Sequence, residues 1–225
     1  MDSNRTALVA GAGGLVGGHL LQLLLSDESY GTVILPVRRL LDVKHAKLQQ
    51  QVVNWEKLSD YGEQLRADDL YCCLGTTIKK AGSQQAFLQV DYHYPLHLAQ
   101  LAKSVSARAY VIVTAMGADP GSRIFYNRVK GEVEQAITQL NLSSLTIVRP
   151  SLLLGERTEF RLGERLITAA FRPFSFLFSG PLLKYRPIHA RMVATAMWQA
   201  ARNPQPGVRV IESDEMQKAS HIYMR

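Results

Sequence analysis

The chain has 225 residues, enough for one compact domain with a substantial core, and 47% of them are hydrophobic, which excludes a disordered chain. The 26 Lys and Arg outnumber the 19 Asp and Glu, for a formal charge of +7, but the arginines are scattered and no nucleic-acid motif accompanies them. No apolar run reaches the roughly 18 residues that a bilayer span requires.

From the N-terminus, "MDSNRTALVAG" offers no cationic lead, apolar stretch and cleavage site, so no signal peptide is expected. "TALVAG" reads as a first strand and the run through "HLLQLLLS" as a helix, with Val16, Leu20 and Leu24 four apart. Between them lie Gly11, Gly13, Gly14, Gly17 and Gly18. Small residues at a strand-to-helix turn let the backbone approach an anion, and the helix N-terminus favours negative charge. A dinucleotide pyrophosphate is the ligand that this context suits, and a purely structural glycine turn is the alternative.

"TVILPV" predicts a second strand, which Pro36 is expected to end. The following Arg38 and Arg39 stand where an NAD enzyme would offer a carboxylate to the adenosine ribose; Arg38 is 21 residues after Gly17. Two guanidinium groups suit a 2′-phosphate instead, which favours NADP over NAD. Their alternative reading is as ordinary surface cations.

"QQVVNW" reads as a third strand, "DLYCCLG" as a fourth, "AYVIVTA" as a fifth and "LTIVRP" as a sixth, with helical patterns over about 84–105 and 122–140. Near-continuous apolar strands separated by helices predict an α/β fold: a doubly wound, Rossmann-type parallel sheet. Cys72 and Cys73 are adjacent, so a bridge between them is not expected, and buried thiols in a cytoplasmic protein are the simpler reading.

Tyr126 and Lys130 are four apart on the second long helix, with β-carbons about 5–6 Å apart. A nearby ammonium favours a phenolate, so Tyr126 could exchange a proton with a carbonyl oxygen while Lys130 also holds ribose hydroxyls. The same stripe continues through Val133 and Ile137, so it is expected to face the sheet, unless Lys130 snorkels outward. Thr114 ends the fifth strand 12 residues before Tyr126, where its hydroxyl could position the substrate oxygen or act only as a local cap.

Glycine turn, strand-end hydroxyl and Tyr-x-x-x-Lys in this order resemble the short-chain dehydrogenase/reductase superfamily. "YCCLGTTIKKAGSQQAFLQVDYHYPLHLAQLAK", "KGEVE" and "VRPSLLLGER" are similar to the Tat-interactive, metastasis-suppressor-type family of atypical reductases. The resemblance implies an NADP-dependent oxidoreductase acting on a carbonyl or alcohol, with Thr114, Tyr126 and Lys130 as the catalytic set. It implies that Gly11, Gly13, Gly14, Leu15 and Val16 line the pyrophosphate, that Arg38 and Arg39 meet the 2′-phosphate, and that Asn54 lies by the adenine. Leu74, Gly75 and Thr76 would border ribose and phosphate, and Pro150 would close over the nicotinamide. Relatives tend to carry a serine pair where this chain has Thr114 and Ala115, so only Thr114 remains to polarise a carbonyl. A homodimer stays open. The alternatives are a non-enzymatic NADP(H)-binding regulator working through a protein partner and, more weakly, an epimerase-like activity for which the short C-terminal part leaves little room.

Beyond Pro150 the pattern weakens. Residues 151–225 are expected to form mostly a small substrate lobe within the single domain, with a helix in "HARMVATAMWQAA" and a strand in "GVRVIE". Residues 166–183 read as a lid over the nicotinamide, with a partner or peripheral membrane face as the alternative. His93 and His97, four apart, read as helix surface rather than metal ligands, and no metal is expected. Asp91 could support a water network or a structural hydrogen bond, and His189 could line the pocket. The expected partner is a small molecule, not a nucleic acid.

Overall fold

The structure, a computed structural model, describes residues 5–155 and 180–223. The strands are β1 (Arg5–Ala10), β2 (Tyr30–Val37), β3 (Leu48–Val52), β4 (Asp69–Cys72), β5 (Ala109–Val113), β6 (Ser144–Arg149), β7 (Leu153–Leu154), β8 (Ile188–His189) and β9 (Gly207–Glu212). Seven of them form one parallel sheet in the order β3-β2-β1-β4-β5-β6-β9, and β7 pairs with β8 separately. The order reverses between β1 and β4, which opens a crevice at their carboxyl ends.

Alternate strand residues feed two cores. Ala7, Val9, Val33, Leu35, Tyr71 and Val111 meet Leu20 and Leu24 of α1 (Leu15–Ser26) and Val193 and Met197 of a late helix, Ala190–Arg202. Leu8, Ile34, Leu70, Cys72, Tyr110 and Ile147 face the other way, toward Leu98, Ala102, Val133 and Ile137. Burial on both faces is why these strands read as continuous apolar runs. Residues 151–225 therefore divide: β9 extends the main sheet, and the late helix packs in the layer of α1. Of the segment 166–183, residues 166–179 lie outside the described residues.

One expectation is corrected and one refined. Pro36 does not end β2; it is bridged to Gln51 on β3, and Val37 still follows it in the strand. The β1–β2 bridges run only to Leu8–Ile34, so the missing N–H interrupts no rung on that side. A short helix, α2 (Ile78–Ala81), comes first; the helix expected over 84–105 then runs without a break through α3 (Gln84–Leu88), a π-helical turn (Gln89–His93) and α4 (Tyr94–Ser104). Pro95 has no N–H to give the Asp91 carbonyl, and the helix widens by one residue in the turn before it. The next helix, α5 (Phe125–Thr138), follows the predicted pattern, and the late helix Ala190–Arg202 and Ser213–Tyr223 are α6 and α7.

Backbone meets backbone at the first turn. Gly11 has φ +84°, and a β-carbon there would stand 2.5 Å from the Cys73 carbonyl oxygen. At Gly17 a β-carbon would stand 2.2 Å from the Gly11 carbonyl oxygen, whereas at Gly18 the nearest atom is at 3.6 Å. Gly17→Ala should therefore destabilise the fold by about 1–3 kcal/mol through overpacking, whereas Gly18→Ala should be neutral or raise stability by up to about 1 kcal/mol. Urea denaturation of both variants measures this difference, and equal effects would contradict it.

Candidate active site

The glycine turn stands at the carboxyl end of β1. Gly14 caps α1 with extended backbone and no side-chain hydrogen bond to the first turn, so the opening N–H groups of α1 at Leu15 and Val16 have no side-chain cap. Gly13 and Gly14 are exposed, whereas the Val16 side chain is buried in the core, leaving its amide as the group to meet a ligand. The turn closes on itself through the Gly14 N–H, which donates to the Gly11 carbonyl at 2.9 Å. An uncapped helix start beside the exposed Gly13 and Gly14 fits a pyrophosphate.

Arg38 and Arg39 follow directly after β2 and are exposed. Among the described residues neither guanidinium enters a hydrogen bond or ion pair, so both are exposed cations available to an anion. Asn54 is exposed and caps the 3₁₀ turn Trp55–Tyr61, its Oδ1 accepting the Glu56 N–H at 3.0 Å.

The loop after β4 carries Leu74, Gly75 and Thr76. The Thr76 N–H donates to Asp91 Oδ2 at 2.9 Å, and Lys130 Nζ lies 2.7 Å from Asp91 Oδ1. A β-carbon on Gly75 would stand 3.6 Å from that carboxylate and 3.9 Å from Nζ, so a glycine here leaves the ion pair approachable. One carboxylate, set in the π-helical turn, thus joins the β4 loop to α5. Lys130 does not snorkel; it is 4% exposed. Burial works against its charge, but Asp91 more than compensates and holds the ammonium above the ordinary lysine range. The contribution of the Lys130 charge is therefore fully present at neutral pH and is lost as pH rises through that elevated value.

Tyr126 is half-buried one turn before Lys130. Its ring packs 5.7 Å from Phe87, and Lys130 Nζ is 6.0 Å from the ring centre. Gly131 lets α5 lie against the Asp119–Pro120 backbone, where a β-carbon would stand 2.2 Å from the Pro120 nitrogen. The structure brings together the β4 loop, Asp91, Lys130 and Tyr126.

Thr114 is placed differently from the expectation. It is buried, and its hydroxyl donates to Glu134 Oε1 at 2.5 Å. Arg149, at the end of β6, grips Glu134 through Nε at 3.2 Å and Nη2 at 2.5 Å, and reaches Glu212 at 3.2 Å. The Thr114 proton is directed at a carboxylate rather than at a substrate carbonyl, and Ala115 beside it has no hydroxyl. Glu134 was not singled out from sequence, although it lies four residues after Lys130 on the same buried stripe as Val133 and Ile137. An acid there requires a buried partner. Pro150 is buried just past Arg149, its carbonyl accepting the Met116 N–H at 2.9 Å.

His189 is exposed at the start of α6. His97 Nδ1 lies 3.2 Å from the Trp55 carbonyl, and among the described residues no group of His, Cys, Asp or Glu could hold a metal ion. Cys72 is buried and Cys73 half-buried, both free thiols; burial pushes the Cys72 thiol up to about 11. Among the described residues no helix is long and apolar enough to cross a membrane.

The HIM1 family model matches residues 41–175. The rat protein HTATIP2 is 37% identical over 75% of this chain and 71% of its own. The chain belongs to this family. The mitochondrial protein FMP52 of Eremothecium gossypii is 32% identical over 93% of this chain and 95% of its own. Several such fungal relatives are named mitochondrial, which overturns the expectation of a cytoplasmic protein. Among solved structures, MoeE5 in complex with UDP-glucose and NAD superposes with a TM-score of 0.69 at 15% identity, covering 97% of this chain and 81% of that one. A UDP-N-acetylglucosamine 4-epimerase from Methanobrevibacter ruminantium M1 gives 0.69 at 14% identity, covering 99% and 83%. These likenesses show the fold, a Rossmann-type doubly wound parallel sheet.

Lys130→Met should destabilise the HIM1-family chain by about 3–5 kcal/mol, because Asp91 is then a buried charge with no counter-ion, left with the Thr76 amide alone. Adding Asp91→Asn should recover much of that loss. A double-mutant cycle by urea denaturation checks it, and purely additive losses would show that the pair is not coupled.

Proposed function

We propose that the chain is an NADP-dependent oxidoreductase that interconverts a carbonyl and an alcohol. The observation that supports this best is the buried Lys130, held by Asp91 one helical turn from Tyr126, at the same sheet end as the uncapped glycine turn. When bound, NADP would supply or accept the hydride. Gly11, Gly13, Gly14, Leu15 and Val16 would hold its pyrophosphate, Arg38 and Arg39 its 2′-phosphate, and Leu74, Gly75 and Thr76 its ribose and phosphate. Asn54 would lie at the adenine, and Pro150 would border the nicotinamide end, with residues 151–225 contributing the substrate side. Asp91 is the ion-pair partner of the Lys130 ammonium among the described residues, and the remaining donors would meet ribose hydroxyls. The Tyr126 hydroxyl exchanges the proton with the substrate oxygen. In this reading Thr114 is a positioning residue that anchors Glu134, so Tyr126 polarises the oxygen without a hydroxyl partner from β5.

A second reading has its own observation. With the Thr114 proton committed to Glu134 and alanine at 115, the end of β5 offers no hydroxyl donor to a substrate, which suits an NADP(H)-binding regulator that does not turn over. NADPH oxidation against a panel of carbonyl compounds separates the two. Turnover lowered at least about 100-fold by Tyr126→Phe supports the enzyme. NADPH binding without turnover of any compound supports the regulator, and equal turnover in the variant removes Tyr126 from the chemistry. Arg38→Ala with Arg39→Ala should weaken NADPH far more than NADH in a binding titration; equal weakening would contradict the 2′-phosphate assignment.

A further inference from the structure

We propose that Gln50 determines cofactor specificity: its side-chain amide clamps the loop that carries Arg38 and Arg39 and so presents both guanidinium groups to a 2′-phosphate. The inference rests on the NADP reading above and adds a residue that makes no contact with the cofactor itself.

The loop between β2 and β3 is mostly exposed, from Arg38 through Leu40 and again at Asp42 and Lys44–Ala46. Gln50 sits on β3 opposite Leu35 and is half-buried. All of its side-chain hydrogen bonds go to that loop. Oε1 accepts the Leu41 N–H at 2.8 Å, while Nε2 donates to the Leu41 carbonyl at 2.9 Å and to the Val43 carbonyl at 3.2 Å. Bonding both the N–H and the carbonyl of one residue imitates a rung of a sheet, and it fixes the loop two residues after Arg39. Leu41 then lies against the glycine turn: its Cδ2 is 3.3 Å from where a β-carbon on Gly13 would stand. The clamp thereby sets the spacing between the pyrophosphate cradle and the arginines.

The arginines have no other restraint, since neither is in a hydrogen bond or ion pair among the described residues. Without the amide, they would remain on the chain but would have to be ordered when the 2′-phosphate arrives, which lowers affinity for the phosphorylated cofactor alone. Neighbouring Gln49 is exposed and makes no side-chain hydrogen bond among the described residues, so it serves as a control.

The test is calorimetric titration of the full chain with NADPH and with NADH, for the natural protein and for Gln50→Leu, Gln50→Met and Gln49→Leu. Circular dichroism melts establish which variants are folded; methionine preserves the unbranched shape should leucine fail to fold. The expected result is a Kd for NADPH raised about tenfold by either Gln50 substitution, with NADH changed less than about twofold and Gln49→Leu unchanged for both. Equal weakening of both cofactors would mean that Gln50 serves the fold only, and unchanged NADPH binding would remove the clamp; either overturns the inference. If the natural protein binds the two cofactors equally, the NADP reading and the inference fall together. If Arg38→Ala with Arg39→Ala abolishes a preference that the Gln50 variants keep, only the inference falls.

Discussion

The fold depends on main chain packed against main chain where β1 and β4 diverge. Gly11 lies on the Cys73 carbonyl, and Gly17 lies on the carbonyl of Gly11. No side chain fits at either contact. This brings the start of α1 and the loop after β4 to the point where strand order reverses, the place where open parallel sheets take ligands. The Thr76 amide in that loop binds Asp91, and Asp91 binds Lys130, so a backbone constraint at the first turn reaches Tyr126 through one carboxylate.

Two ionic systems flank the proposed chemistry and serve different ends. Asp91–Lys130 leaves part of the ammonium's donor capacity beside the open backbone of Gly75. Thr114–Glu134–Arg149–Glu212 runs from the buried Thr114 and Glu134 out to the half-buried Glu212 and ties α5 to the ends of β5, β6 and β9. A third system at the opposite end of the sheet is scaffold. Asp69 meets Arg108 at 2.6 Å, Arg5 at 3.2 Å and the Tyr30 hydroxyl at 2.6 Å. Burial there outweighs those partners and raises the Asp69 carboxyl above its ordinary range. Asp69 opens β4, at the other end of the strands from the glycine turn.

The sheet and the cradle were legible because they rest on local signals. Apolar runs mark strands buried on both faces, and a glycine cluster between strand and helix marks close backbone approach. The buried stripe of α5 was legible from Tyr126, Lys130, Val133 and Ile137. What escaped depends on contacts distant in sequence. The π-helical turn needed the absent N–H of Pro95 to be weighed within an otherwise good helix. The orientation of Thr114 is decided by Glu134 and Arg149, which nothing near residue 114 reveals. Gln50 stands among three consecutive glutamines, and only the path of the loop distinguishes it from its neighbours. The cytoplasmic expectation had no physical signal behind it beyond reduced thiols, and the named relatives correct it.

The account rests on a nucleotide held by bare amides at one end and two guanidinium groups at the other. A crystal structure of the chain grown with NADPH tests this most directly. The account predicts the pyrophosphate over the Gly11–Val16 turn, the 2′-phosphate between Arg38 and Arg39, and the nicotinamide ribose at Lys130. A nucleotide bound elsewhere, or a crystal grown at saturating NADPH that holds none, would contradict it.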